Sequence, residues 1–270
     1  MAEPKIGVIH YNFPDMDWIQ FLDYCVRTGY EYIEVAISDV WGEGVTDPEA
    51  KAKEVRAQMD DRGIKAGALA AGNDFVLLDE AAIEPEIERM KRICCDLAPI
   101  VGTDTIRTEG GRPKPEVSED RYVEAMGGCL KRCVSFIEPA GIKLALDNHG
   151  PVTNDGDLQV KIFEFVGSPN VGSNLDTMNY RWFGHDIATI NRFYEIVAPY
   201  VFHTHMKDGF GSRENYKGAA LGEGEIDLHH AIKCLRNVGY DGVWCSEYEG
   251  PEREGGVGYA KCCQWLKANL

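Results

Sequence analysis

No stretch of this 270-residue chain approaches the ~20 consecutive apolar residues of a membrane-spanning helix. Positive charge is also scarce. Lys and Arg number 28 against 44 Asp and Glu, a net charge of −16, which argues against a nucleic-acid or anionic-membrane partner. Nine cysteines are an odd number, and none forms a C-x-x-C zinc pair. A disulfide framework is not expected in a chain of this size, and reduced thiols on apparent helices need no special account. The first residues run straight toward a strand with no basic leader region, so a cytosolic protein is expected. No Pro/Ser linker, low-complexity tract or change of composition divides the chain, which predicts one domain over residues 1–270. A G-x-G-x-x-G after an early strand is missing, as is a G-K-[S/T] phosphate loop.

What the chain does have is alternation. Short β-type runs at 5–11, 32–37, 64–71, 104–108, 143–150, 171–177, 201–208 and 242–250 are separated by amphipathic helical stretches. These helices are predicted near 17–28, 49–62, 80–98, 118–138, 157–166, 186–198, 228–238 and 257–269. Asp47-Pro48 is a helix-opening pair, and Gly29, Gly63, Gly141 and Gly239 stand where helices hand over to strands. Eight βα units predict an α/β fold with a single closed (β/α)8 TIM barrel, ahead of an open doubly wound sheet.

The active end of such a barrel is the C-terminal end of its strands. Four consecutive late strands end in metal-ligating residue types: Asp147, Asp176, His205 and Glu247, at intervals of roughly 29 to 42 residues. Buried carboxylates that converge repel one another unless a cation pairs them. A mixed O/N set of this kind suits one divalent ion, Mn²⁺ first, with Mg²⁺, Co²⁺ and Zn²⁺ as alternatives. Residues two apart on a strand share a face, so His203, His205 and Lys207 project together, as do Asp147 and His149. His149 is a candidate proton shuttle, and Lys207 a candidate partner for a substrate oxygen. His203, deeper in its strand, is expected to be a hydrogen-bonded core imidazole. Arg107 and Glu109 are candidate contacts to polyol oxygens. Trp182, Phe183 and His185 form either an apolar wall for a sugar ring or a contact in a homo-oligomer. The Gly-rich segment 209–225 is either a plain loop or a lid.

The ordered set Asp147-Asn148-His149, Asn174 to Asn179, His203 to Asp208, Leu221 to Asp227 and Ser246-Glu247 resembles the sugar phosphate isomerase/epimerase superfamily, with its xylose-isomerase-like barrel. The stretch YEYIEV around Glu34 fits that family's second strand and adds Glu34 to the candidate substrate contacts. The resemblance implies a metal quartet of Asp147, Asp176, His205 and Glu247. It also implies proton transfer beside a carbonyl of a small sugar or polyol through a metal-stabilised enediolate, with Glu247, His149, Lys207 and Asp147 as candidate catalytic groups. Two positions depart from the pattern. The family most often carries Glu where this chain has Asp147, a side chain shorter by ~1.5 Å, one C–C bond. Its epimerases commonly carry His where this chain has Asn179. Both departures keep dehydratase or lyase chemistry on a keto-sugar or inosose-type substrate as the alternative. A non-catalytic sugar-binding protein is a further rival. An endonuclease at abasic sites would need more histidines and a basic groove.

Overall fold

Short apolar runs buried on both faces are what a parallel sheet under helices requires, and they form here as expected. The computed structural model describes residues 3–10, 13 and 16–270. The strands are β1 (Lys5–Ile9), β2 (Tyr32–Ala36), β3 (Lys65–Ala70), β4 (Thr105–Thr108), β5 (Lys143–Asp147), β6 (Val171–Asp176), β7 (Val201–Met206), β8 (Asp208–Phe210), β9 (Lys217–Ala219) and β10 (Val243–Ser246). All but β8 and β9 close into one parallel barrel in the order β1-β10-β7-β6-β5-β4-β3-β2. Tyr11, the last residue of the first predicted strand, lies outside the described residues.

Around the barrel run α1 (Trp18–Thr28), α2 (Ile37–Trp41), α3 (Pro48–Asp60), α4 (Glu80–Arg92), α5 (Ala98–Val101), α6 (Tyr122–Ala140), α7 (Gly156–Val166), α8 (Asn179–Phe183), α9 (Ile187–Val197), α10 (Leu228–Asn237) and α11 (Val257–Asn269). The caps are those anticipated. The Asp47 side chain accepts a hydrogen bond from Ala50 N at 3.0 Å ahead of Pro48. Gly29 and Gly141 close α1 and α6 at φ 87° and 68°, a region that L side chains enter only at a steric cost. No helix of the described residues is long and apolar enough to cross a membrane.

The main core lies between sheet and helices, where Val8, Ile33, Leu144 and Leu175 pack against residues such as Phe21 and Phe193. Inside the barrel the apolar filling is small: Ile9, Val243 and Cys245, with Tyr32 against them. A cavity of about 670 Å³ opens at the N-terminal end, lined by strand-start residues such as Lys5, Tyr32, Lys143 and Phe202. At the opposite end the interior is polar, with Glu34, Arg107, Asp147, Asp176, His205 and Glu247 buried there.

The segment after β7 is an ordered hairpin of β8 and β9. Its organiser is Asp208, whose carboxylate accepts from the backbone N–H of Gly209, Gly222, Gly224 and Ile226 at 2.8–3.2 Å. Gly224 sits so close that a Cβ there would lie 2.0 Å from Asp208 Oδ1, which explains a glycine at that point.

Candidate active site

Each candidate ligand stands at or just past a strand end. Asp147 and Asp176 are the last residues of β5 and β6, His205 is the last but one of β7, and Glu247 follows β10. Neighbouring strands hold them in step, with Asp176 opposite His205 and His205 opposite Cys245. Asp147, Asp176, His205 and Glu247 are all buried.

Three of the four converge. One ligand atom each from Asp176, His205 and Glu247 lie within 4.8 Å of one another. Donors around a single ion are separated by at most about twice a metal–ligand bond, ~4.4 Å, so the spacing is close to that of one shared site. His205 Nδ1 lies 3.0 Å from Glu247 Oε2. Asp176 turns Oδ1 to the N–H groups of Met178 and Asn179, both at 2.8 Å, and leaves Oδ2 for the site. Asn148 clamps that residue further, accepting from Asp176 N and donating to Asp176 O.

Asp147 stands apart from the three. Its Oδ1 accepts from Asn174 Nδ2 at 2.8 Å, and its Oδ2 lies 3.3 Å from Arg107 Nη1. The short side chain leaves this carboxylate beside the guanidinium on the β4 side of the mouth. His149 Nδ1 is 3.9 Å from Asp147 Oδ2, with a side chain 56% exposed, which sets it at the rim.

Beneath the site runs a buried ionic layer. Glu34 Oε2 meets His205 Nε2 at 2.8 Å and His203 Nε2 at 3.2 Å, and its Oε1 accepts from Arg107 Nε at 3.0 Å. Arg107 Nη1 also reaches Glu109 at 3.2 Å. Burial opposes a charge on Glu34, yet His205 and Arg107 outweigh it and hold the carboxyl well below the ordinary range. Burial likewise works against protonated His205, but Glu34 and Glu247 push its pKa up to about 10. The two residues therefore form an ion pair in the metal-free protein. Glu34 and Arg107, expected as substrate contacts, lie at 1% and 7% exposure with their polar atoms committed to each other and to the ligands. They support the site from below. Glu109 is the outermost of the group, its side chain 34% exposed, and Asn73 holds its backbone at both N–H and C=O.

Lys207 is buried at 2% exposure, so it is no solvated loop lysine. Its ammonium lies 3.0 Å from Asp176 Oδ2, 3.1 Å from Glu247 Oε1 and 3.5 Å from Glu249 Oε2. Burial pushes the carboxyl of Asp176 up, and Glu247 and Asp147 add to that against the pull of Lys207, to about 7. Glu247 moves the other way: burial is outweighed by Lys207 and His205, and its carboxyl is held low. His203 is buried as expected, with its Nε2 against Glu34 Oε2 at 3.2 Å. Trp182 stands off to the side on α8, its ring under Arg213 together with Phe183 and its C=O accepting from Arg213 N.

The donor set fits a divalent ion. Asp176 Oδ2 and Glu247 Oε1 face the Lys207 ammonium at 3.0 and 3.1 Å and His205 Nδ1 faces Glu247 Oε2 at 3.0 Å, so buried carboxylate and imidazole atoms of the kind a divalent ion takes are gathered at one point. Asp176, His205 and Glu247 would hold the ion, with Asp147 nearby. The spacing that pointed to the quartet carries no sign of the supports. Asn174 was within reach of strand parity, two residues before Asp176. The pairing of Glu34 with His205 joins residues 171 apart and has no local signal.

A profile of xylose isomerase-like TIM barrels matches residues 22–269. The inosose isomerase of Halalkalibacterium halodurans is 24% identical over 244 residues, spanning 87% of this chain and 83% of that protein. Among solved structures, the IolI protein with a bound zinc atom superposes with a TM-score of 0.79 at 21% identity, covering 98% of this chain and 96% of that one. The 3-keto-D-glucoside 4-epimerase YcjR of E. coli superposes with a TM-score of 0.77 at 15% identity, covering 98% and 100%.

Proposed function

The chain belongs to the family of xylose isomerase-like TIM barrels, and from that membership we propose that it isomerises or epimerises an uncharged keto-polyol or sugar by moving a proton at the carbon beside the carbonyl. One observation carries the reading: two carboxylates and an imidazole, Asp176, Glu247 and His205, share a buried site at the catalytic end of the barrel. A divalent ion held there, Mn²⁺ first, supplies Lewis acidity toward a carbonyl oxygen. Relatives named as inosose isomerases point to the same substrate class.

The chain's own residues do the rest. Glu247, at the mouth and 8% exposed, takes the proton from carbon and returns it. His149, at the rim beside Asp147, passes protons between the substrate's hydroxyls and water. Lys207, expected from the sequence to meet a substrate oxygen, faces Asp176 and Glu247 instead and balances their charge. Substrate enters past Glu109 and Trp182. The preference for an uncharged substrate follows from charge: the buried cations of the mouth, Arg107 and Lys207, already face carboxylates, so neither is free for a phosphate.

Elimination is the second reading, and one observation favours it. Asp147 is engaged by Arg107 and Asn174, outside the three-residue set, which leaves Glu247 without a second carboxylate base across the substrate carbon. Incubation of Mn²⁺-loaded protein with inososes and ketoses in deuterated water, followed by NMR, separates the two. Exchange of a substrate C–H with formation of an epimer or isomer is the expected result. An unsaturated product without an epimer replaces isomerisation by dehydration. Bound metal with neither exchange nor product on any substrate would leave a binding protein.

A further inference from the structure

Lys207 and a divalent ion would claim the same oxygens. The ammonium touches Asp176 Oδ2 and Glu247 Oε1, and both carboxylates belong to the three-residue ligand set. We infer that Lys207 is the site's built-in counter-ion: it holds Asp176 and Glu247 together when no divalent ion is bound, and falls back on Glu249 when one enters. The inference rests on the metal-dependent reading above.

Three features of the structure support it. First, the backbone of Lys207 is pinned on both sides, since its N–H donates to Thr177 Oγ1 at 2.9 Å and its C=O accepts from the same hydroxyl at 2.6 Å. Only the flexible side chain is left to move. Second, a place to retreat to exists. Glu249 Oε2 is 3.5 Å from the ammonium, outside the ligand set, with a side chain 37% exposed and oriented by Tyr216, whose hydroxyl donates to it at 2.9 Å. Third, buried carboxylates left without a cation repel one another. Lys207 relieves that repulsion in the ion-free protein.

The consequence is a cation exchange. Divalent binding releases the energy of the ion's contacts minus that of the ammonium's, so Lys207 lowers the affinity it leaves behind and stabilises the empty protein. A plain scaffolding lysine would have the opposite signature: its removal would loosen the ligands and weaken binding.

Calorimetric titration of Mn²⁺ into the wild type, Lys207→Met, Glu249→Gln and the double variant, with thermal melts in EDTA, tests the exchange. Lys207→Met is expected to bind Mn²⁺ at least about tenfold tighter, since the ammonium that competes for Asp176 and Glu247 is removed, and to melt lower when stripped. Glu249→Gln is expected to bind severalfold more weakly, and that effect should shrink or vanish in the Lys207→Met background. Equal or weaker binding by Lys207→Met overturns the inference, as does a Glu249 effect that is the same with and without Lys207. If the methionine variant does not fold, Lys207→Gln takes its place with the same criteria. A wild type that binds no Mn²⁺ overturns both this inference and the metal-dependent function, whereas a wild type that binds and a Lys207 variant that binds no tighter overturns the inference alone.

Discussion

Glu34 is the residue on which most of the site's order depends. It meets His205, His203 and Arg107 at once, and through Arg107 it is tied to Asp147. Its hold on His205 Nε2 leaves Nδ1 facing Glu247 and the ion site, the outer-partner arrangement that fixes a ligating imidazole. Glu34→Gln should therefore cost about 3–5 kcal/mol in the metal-free protein, because Arg107 and His205 lose a buried counter-charge; urea unfolding in EDTA measures it, and a loss under ~1 kcal/mol would show the layer to be dispensable. Substitutions among the imidazoles should rank in the same way. His205→Ala and Glu247→Gln would remove proposed ligands and should abolish turnover, whereas His203→Ala, whose ring meets Glu34 and stands outside the set of Asp176, His205 and Glu247, should reduce it less. Steady-state rates with bound metal checked separately decide this, and equal loss in all three with metal retained would contradict the ranking.

Secondary-structure elements set how the mouth is covered. The eight long helices follow the apolar periodicity of their segments, and their caps are written locally. The short additions α2 and α8 and the hairpin of β8 and β9 are not periodic, and nothing in the run Gly209 to Glu225 separates a loop from a hairpin. Asp208 decides that case with a single carboxylate shared among four backbone donors. Burial pushes its carboxyl up, while those backbone N–H groups pull it back down. Asp208→Ala should free the amides of Gly222, Gly224 and Ile226 and cost about 1–3 kcal/mol. Hydrogen exchange at those amides should rise before the barrel itself opens; unchanged protection would mean that the hairpin holds by other contacts. Arg213 over Trp182 and Phe183, with Arg181 bonded to Glu225 at 2.7 Å, anchors the far side of the same segment to α8.

At the scale of the whole molecule, stability should follow the ionic layer through pH. Glu34 and Glu247 have folded pKa values below the ordinary 4.5, so their stabilising contribution is present above that pH and is lost as acid is added. His205 is raised from 6.5 to about 10, so its contribution is complete below 6.5 and declines as pH rises through about 10. Asp176, raised from 3.8 to about 7, adds a smaller loss across the interval between those values. Metal-free protein should thus melt highest at roughly pH 4.5 and progressively lower from there to pH 10. A melting series in EDTA reads this directly, and a flat profile above pH 6.5 would mean that His205 is neutral in the fold.

The barrel and the order of its strands and helices were legible in the chain alone. Each rests on patterns that repeat within ten to twenty residues, the β-type runs, the amphipathic helices and their Asp and Gly caps. The positions of Asp176, His205 and Glu247 were legible for the same reason, since strand ends recur at regular intervals. The closed barrel decided what spacing could not. It brought Glu34 from β2 against His205 from β7, turned Arg107 inward onto Glu34 and Asp147, and buried Lys207 among carboxylates. Such contacts join residues far apart in sequence, and their strength comes from the low-dielectric interior that exists only once the barrel has closed.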